Sequence, residues 1–132
     1  MKSFLLGIVV AELVALPIGC NPFGPDQSVV LGVSSLDAPA TISAGSPLTV
    51  VLTVTTGGCK SFDRMVAVRG ASGASLTVYG RDASKGRTDI MCPQDLRSEQ
   101  HSYSFDPPFQ SEFTVQVDRG RLSPLSATVD VQ

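Results

Sequence analysis

From Leu48 to Thr55 the chain alternates between two kinds of side chain. Leu48, Val50, Leu52 and Val54 fall on one parity, and Thr49, Thr53 and Thr55 fall on the other. Successive side chains of a strand point to opposite faces, so this spacing predicts a half-buried β-strand, closed by Gly57-Gly58-Cys59. Its β-branched residues suit a pleated surface. The same period recurs along the chain. Val29, Leu31 and Val33 alternate within 28–35, and Thr41-Ile42 offers a short continuation. Phe62, Val66 and Val68 mark a third strand, Leu76 and Val78 a fourth. His101, Tyr103 and Phe105 share one face of a fifth. Phe113, Val115 and Val117 give a sixth, and Leu125, Ala127, Val129 and Val131 a seventh. Between them lie turn-forming segments such as Ser43-Ala44-Gly45-Ser46-Pro47, Gly70-Ala71-Ser72-Gly73 and Asp106-Pro107-Pro108. Only 82–98 sustains no period, and it is the longest connection.

About seven short alternating strands with Gly/Pro turns and no helical period predict an all-β domain over 28–132. The expected architecture is a two-layer antiparallel β-sandwich. The 132 residues suffice for one such domain. Formal net charge is −2 and the Lys and Arg residues interleave with Asp, so there is no electrostatic footprint for nucleic acid.

The first nineteen residues follow a different logic. Lys2 precedes an apolar run from Phe4 to Ala11 that resumes after Glu12 as Leu13-Val14-Ala15-Leu16. A basic start, a short apolar stretch and a small residue at the end are the marks of an export signal. With Ile18-Gly19-Cys20 the segment resembles a bacterial lipoprotein signal, although Pro17 stands where leucine is usual and Leu16 is displaced by one residue. The resemblance implies cleavage after residue 19 and acylation of Cys20. It places the protein on the extracytoplasmic side of a membrane, with secretion as the alternative. Residues 20–27, with Pro22, Gly24 and Pro25, read as a tether. Over 28–132 the chain resembles the immunoglobulin-like modules of bacterial surface proteins, most plainly at Ile42-Ser43-Ala44-Gly45-Ser46-Pro47-Leu48-Thr49-Val50. That resemblance implies architecture and carries no activity.

If Cys20 takes lipid, two of the three cysteines remain, Cys59 and Cys92. In an oxidising compartment they are expected to form a structural disulfide. A metal site and a redox pair are the rival readings. A metal needs three or four ligands and only His101 stands beside the two thiols, and there is no C-x-x-C. The bridge ties the long connection to the end of the second strand. This makes that connection, with Arg81, Lys85, Arg87, Asp89 and Asp95, the candidate partner-binding loop.

Catalytic chemistry finds little support. His101 is the single histidine and no G-x-S-x-G elbow accompanies it. Asp82, Asp89, Asp95 and Glu99 are spaced so that no pair stands out. No phosphate-cradling glycine loop or calcium loop occurs, so no cofactor is expected. The sequence therefore predicts a small cell-envelope lipoprotein with a non-catalytic binding or structural role. The alternative is a secreted binding module or inhibitor that uses the 82–98 loop.

Overall fold

The computed structural model describes residues 27–132. The signal segment 1–19, Cys20 and the tether apart from Gln27 lie outside the described residues. All regular structure in 27–132 is β, in nine strands. In chain order they are β1 (Ser28–Val30), β2 (Val33–Asp37), β3 (Thr41–Ile42), β4 (Leu48–Gly57), β5 (Lys60–Arg69), β6 (Gly73–Asp82), β7 (Leu96–Phe105), β8 (Glu112–Val117) and β9 (Leu125–Val131).

The strands join in one sheet of order β2-β4-β5-β6-β8-β9-β3 that curls into a half-barrel, with β7 added beside β4 and β1 beside β6. β4 and β5 share only the pair Gly57↔Lys60 and then diverge. β4 instead runs its full length against β7, from Leu48↔Phe105 to Gly57↔Leu96. Two ladders, β6 with β8 and β3 with β9, are parallel. Pairing is thus not antiparallel throughout, as the alternation alone had implied. Parallel strands usually lose alternation because both faces are buried, but β6, β8 and β9 each keep one face at least partly open and so alternate like antiparallel strands.

Two boundaries differ from expectation for identifiable reasons. The predicted first strand is two, broken at Leu31-Gly32. Val30 still pairs with Tyr79 on β6, whereas Val33 pairs with Val54 on β4. Leu31 donates its N–H to the Val78 carbonyl and Gly32 accepts from Thr55, so the corner is bonded to both sides of the curl. The Leu31 side chain is buried against Gly80. A Cβ at position 80 would stand 2.6 Å from Leu31 Cγ and 2.4 Å from the Ser61 carbonyl oxygen. A glycine here is a packing requirement. The long connection is also shorter than predicted, because β7 begins at Leu96. Its first half pairs with β4 while presenting Arg97 and Glu99 on the face that buries Val54, so no apolar alternation marks it.

The concave face forms the core. Leu48, Val50, Leu52, Val54, Leu76, Val78, Phe113, Val115, Val117 and Val129 have no exposed surface. Burying each such side chain contributes roughly 1.5–3 kcal/mol. At one end the core closes with aromatic rings, Phe113 lying 5.7 Å from Phe105 and 5.0 Å from Phe109 between centroids. Arg69 caps this cluster, its guanidinium 4.7 Å from the Phe109 ring and 5.3 Å from that of Phe113. The same guanidinium donates to the carbonyls of Asp106 and Pro108, on either side of the cis bond Pro107–Pro108.

Candidate binding surface at the bridged end

The connection from β6 to β7, residues 83–95, leaves and returns at one place. β6 ends with Asp82 opposite Lys60, and β7 begins with Leu96 opposite Gly57. Both ends therefore flank the β4–β5 turn, Gly57 to Lys60. The turn grips them through its backbone. The Cys59 carbonyl accepts from Ala83 N–H at 3.0 Å. Gly58 N–H donates to the Asp95 carbonyl at 2.9 Å and to Asp95 Oδ1 at 3.2 Å. Gly57 sits at φ 106°, and a Cβ on it would lie 2.1 Å from the Asp95 carbonyl oxygen, so no side chain fits there. The expected disulfide joins Cys59 at the turn to Cys92 in the connection, with Cα atoms 5.1 Å apart. A structural bridge of this kind is consistent with an oxidising, extracytoplasmic location.

Gln27 lies at the base of the same connection. Its carbonyl accepts from Asp82 N–H at 2.9 Å, and the next residue, Ser28, accepts from Lys85 Nζ at 2.8 Å. The chain thus enters the domain beside the bridged end.

The five charged residues singled out from the sequence are gathered here, but they are mostly engaged with their own neighbours. Arg87 holds Asp89 through two hydrogen bonds, at 3.2 and 3.0 Å. Asp95 is held by Arg97 and by Gly58. Arg81 lies 3.8 Å from Asp63 on β5. Hydrogen bonds from Arg87 lower the Asp89 pKa, and those from Arg97 and then Gly58 lower that of Asp95. Asp82 is lowered likewise by the Ser84 hydroxyl and backbone N–H. The end also presents exposed apolar side chains: Met91 is 95% and Leu96 83% exposed. The charge-based reading passed over both. The signal available was Ile90-Met91 inside an otherwise polar, Gly/Pro-containing segment.

His101 also belongs to a defined cluster. It stacks on Phe62 across the curl, with centroids 3.7 Å apart and planes inclined by 14°. Its Nε2 lies 3.1 Å from Glu99 Oε2, while Glu99 Oε1 accepts from the buried Thr56 hydroxyl at 2.9 Å. These bonds, His101 first and Thr56 second, lower the Glu99 pKa. Thr56 continues the parity of Leu48 to Val54, and a hydroxyl on that buried parity is the sequence sign of a waiting acceptor. The imidazole and carboxylate face each other and an aromatic ring. The arrangement orients a side-chain network and brings no nucleophile to the imidazole.

No group of His, Cys, Asp and Glu suited to a metal ion occurs among the described residues. Two surface grooves lie at the far end, one along Val68, Ser75, Glu112, Thr114 and Gln116, the other between Arg69, Ala71 and Phe109. The first carries Glu112 as its sole titratable lining group, and in the second the Arg69 guanidinium is already bonded. No helix among the described residues is long and apolar enough to cross a membrane. No protein family, curated protein or solved structure matches the chain.

Proposed function

We propose that the protein is an exported cell-envelope lipoprotein, anchored by acyl chains at Cys20. Its immunoglobulin-like β domain presents the bridged 83–95 connection as a protein-contact surface and catalyses nothing. The observation that carries this reading is exposed Met91, on a connection fixed at both ends and bridged at Cys92, with exposed Leu96 opening β7 directly after it. Exposed apolar side chains on a fixed loop favour association, because little ordering entropy remains to be lost on binding. The Ile18-Gly19-Cys20 pattern supports the anchor, and the disulfide supports export. A secreted binding module or inhibitor would use the same loop and differ in lacking the anchor.

Cys20→Ser is expected to move the chain from the membrane fraction to the soluble fraction; tight membrane retention of that variant overturns the anchor. Photo-crosslinkers at Met91 and Gln94 are expected to trap one discrete envelope protein that a crosslinker at Ser126 on β9 does not. The same adducts from all three positions, or from none, refute the contact surface.

A further inference from the structure

The strand edges of the half-barrel are protected unequally. Free edges are ready templates for another strand, and proteins usually blunt them with shortness, bulges or charge. β1, β2 and β3 have three, five and two residues, and β2 is bulged between Val33 and Ser35. β5 has ten residues but is bulged between Phe62 and Arg64 and carries Asp63, Arg64 and Arg69. β7 is neither short nor bulged, and its two charged side chains, Arg97 and Glu99, both fall on the concave face. It runs ten residues with no proline and no shift of register against β4. Among the described residues no strand pairs with its other edge, and no turn or loop backbone bonds to it. Its convex-face side chains, Leu96, Ser98, Gln100, Ser102 and Ser104, are exposed and uncharged.

We infer that the free edge of β7 is a homodimer interface, on which β7 of a second copy adds as an antiparallel strand. Opposed residues in such a pair share a face, and a two-fold axis normal to the sheet places one residue opposite itself. Charge selects which one. Centring on Glu99 opposes the like charges of Glu99 and Glu99, and sets Arg97 against His101. Centring on His101 sets the two imidazoles together and Arg97 against Phe105. Centring on Gln100 sets each Glu99 against the His101 of the second copy and each Arg97 against its Tyr103. On the other face Ser98 then meets Ser102. Glu99 and His101 are half-buried, their side chains 41% and 25% exposed, so they remain within reach of an added strand. The Gln100-centred register opposes no like charges and continues the ladder that β4 already makes. This interface does not depend on the acyl anchor.

The test uses the full chain with Cys20→Ser, which leaves an engineered thiol as the only free one. Gln100→Cys is expected to form a disulfide-linked dimer under mild oxidation, and Ser104→Cys, which faces Leu96, is not. Ser98→Lys with Ser102→Lys sets lysines opposite each other on an exposed face. It should weaken the dimer about tenfold in sedimentation without lowering Tm. Mixing that variant with Ser98→Asp/Ser102→Asp should restore association as a heterodimer. Equal cross-linking at 100 and 104 overturns the register. A chain that sediments as a monomer overturns the interface, also where its β7 edge captures a foreign extended peptide.

Discussion

Removing the Cys59–Cys92 bridge is the perturbation whose size is best fixed beforehand. The cysteines are 33 positions apart, and they enclose the β5–β6 hairpin and most of the 83–95 connection. In the chain-entropy account, a closed loop of this length costs the unfolded state about 12.5 cal/mol/K, or about 3.7 kcal/mol at 25 °C. The folded state should barely respond. Cys92 is exposed and Cys59 half-buried, so alanine leaves little cavity. The turn still holds Ala83 and Asp95 through backbone bonds. For a domain on the order of 100 residues, the lost 3.7 kcal/mol corresponds to a fall in Tm of about 15 °C or more. The assay is thermal unfolding of Cys59→Ala/Cys92→Ala by circular dichroism, beside the oxidised and reduced native chain. The reduced chain and the double variant should coincide. Trypsin should also cut faster after Lys85 and Arg87 in both. A fall of less than about 3 °C, under 1 kcal/mol on the same scale, would falsify the idea that the bridge acts by restricting the unfolded chain.

Three further outcomes follow from the packing and the charges. Gly80→Ala should destabilise by about 1–3 kcal/mol, because the new Cβ meets the Ser61 backbone and Leu31, whereas Gly45→Ala, with open space around it, should be neutral in denaturant titrations. Arg69→Ala should cost about 1–3 kcal/mol through two carbonyl bonds and the ring contacts; Arg69→Lys should recover little, since an ammonium lacks the fork that reaches both carbonyls, and full recovery would contradict that role. Glu99 has its folded pKa below the ordinary glutamate value of 4.5, so it contributes stability above that pH which is lost as the pH falls through the lower folded value. Glu99→Gln should therefore flatten the acid limb of the stability profile, as monitored by Tm below pH 5; an unchanged limb counts against the Thr56–Glu99–His101 network.

Much of the strand content was legible because period-two apolar spacing survives wherever one face is fully buried. Leu48 to Val54, Leu76 to Val78 and Phe113 to Val117 all lie with no exposed surface on that face. Legibility failed where the buried face turns polar. Arg97, Glu99 and Thr56 occupy core parity in β7 and β4, and their meaning depends on a partner strand more than forty positions away in sequence. It failed again at Leu31-Gly32, where unbroken alternation conceals a crossing from β6 to β4 that only the pairing reveals. The cysteine pair was readable by counting. The state of the loop charges was not, because neutralisation of Arg87 by Asp89 and of Asp95 by Arg97 requires turns that place them side by side.

The entry of the chain at Gln27 sets the altitude of the proposed contact surface. Between an acylated Cys20 and the bond that Gln27 makes to Asp82 there are so few residues that, fully drawn out, they span about 25 Å. Strands of ten residues rise about 33 Å from that base to the Gly70–Gly73 turn. A lipid-held domain would therefore keep Met91 and Leu96 in the shadow of the headgroups and lift the 70–73 turn toward open solvent. Its ligand would be a neighbour resident in the same membrane, met by lateral diffusion, and a freely diffusing protein would approach the opposite pole first.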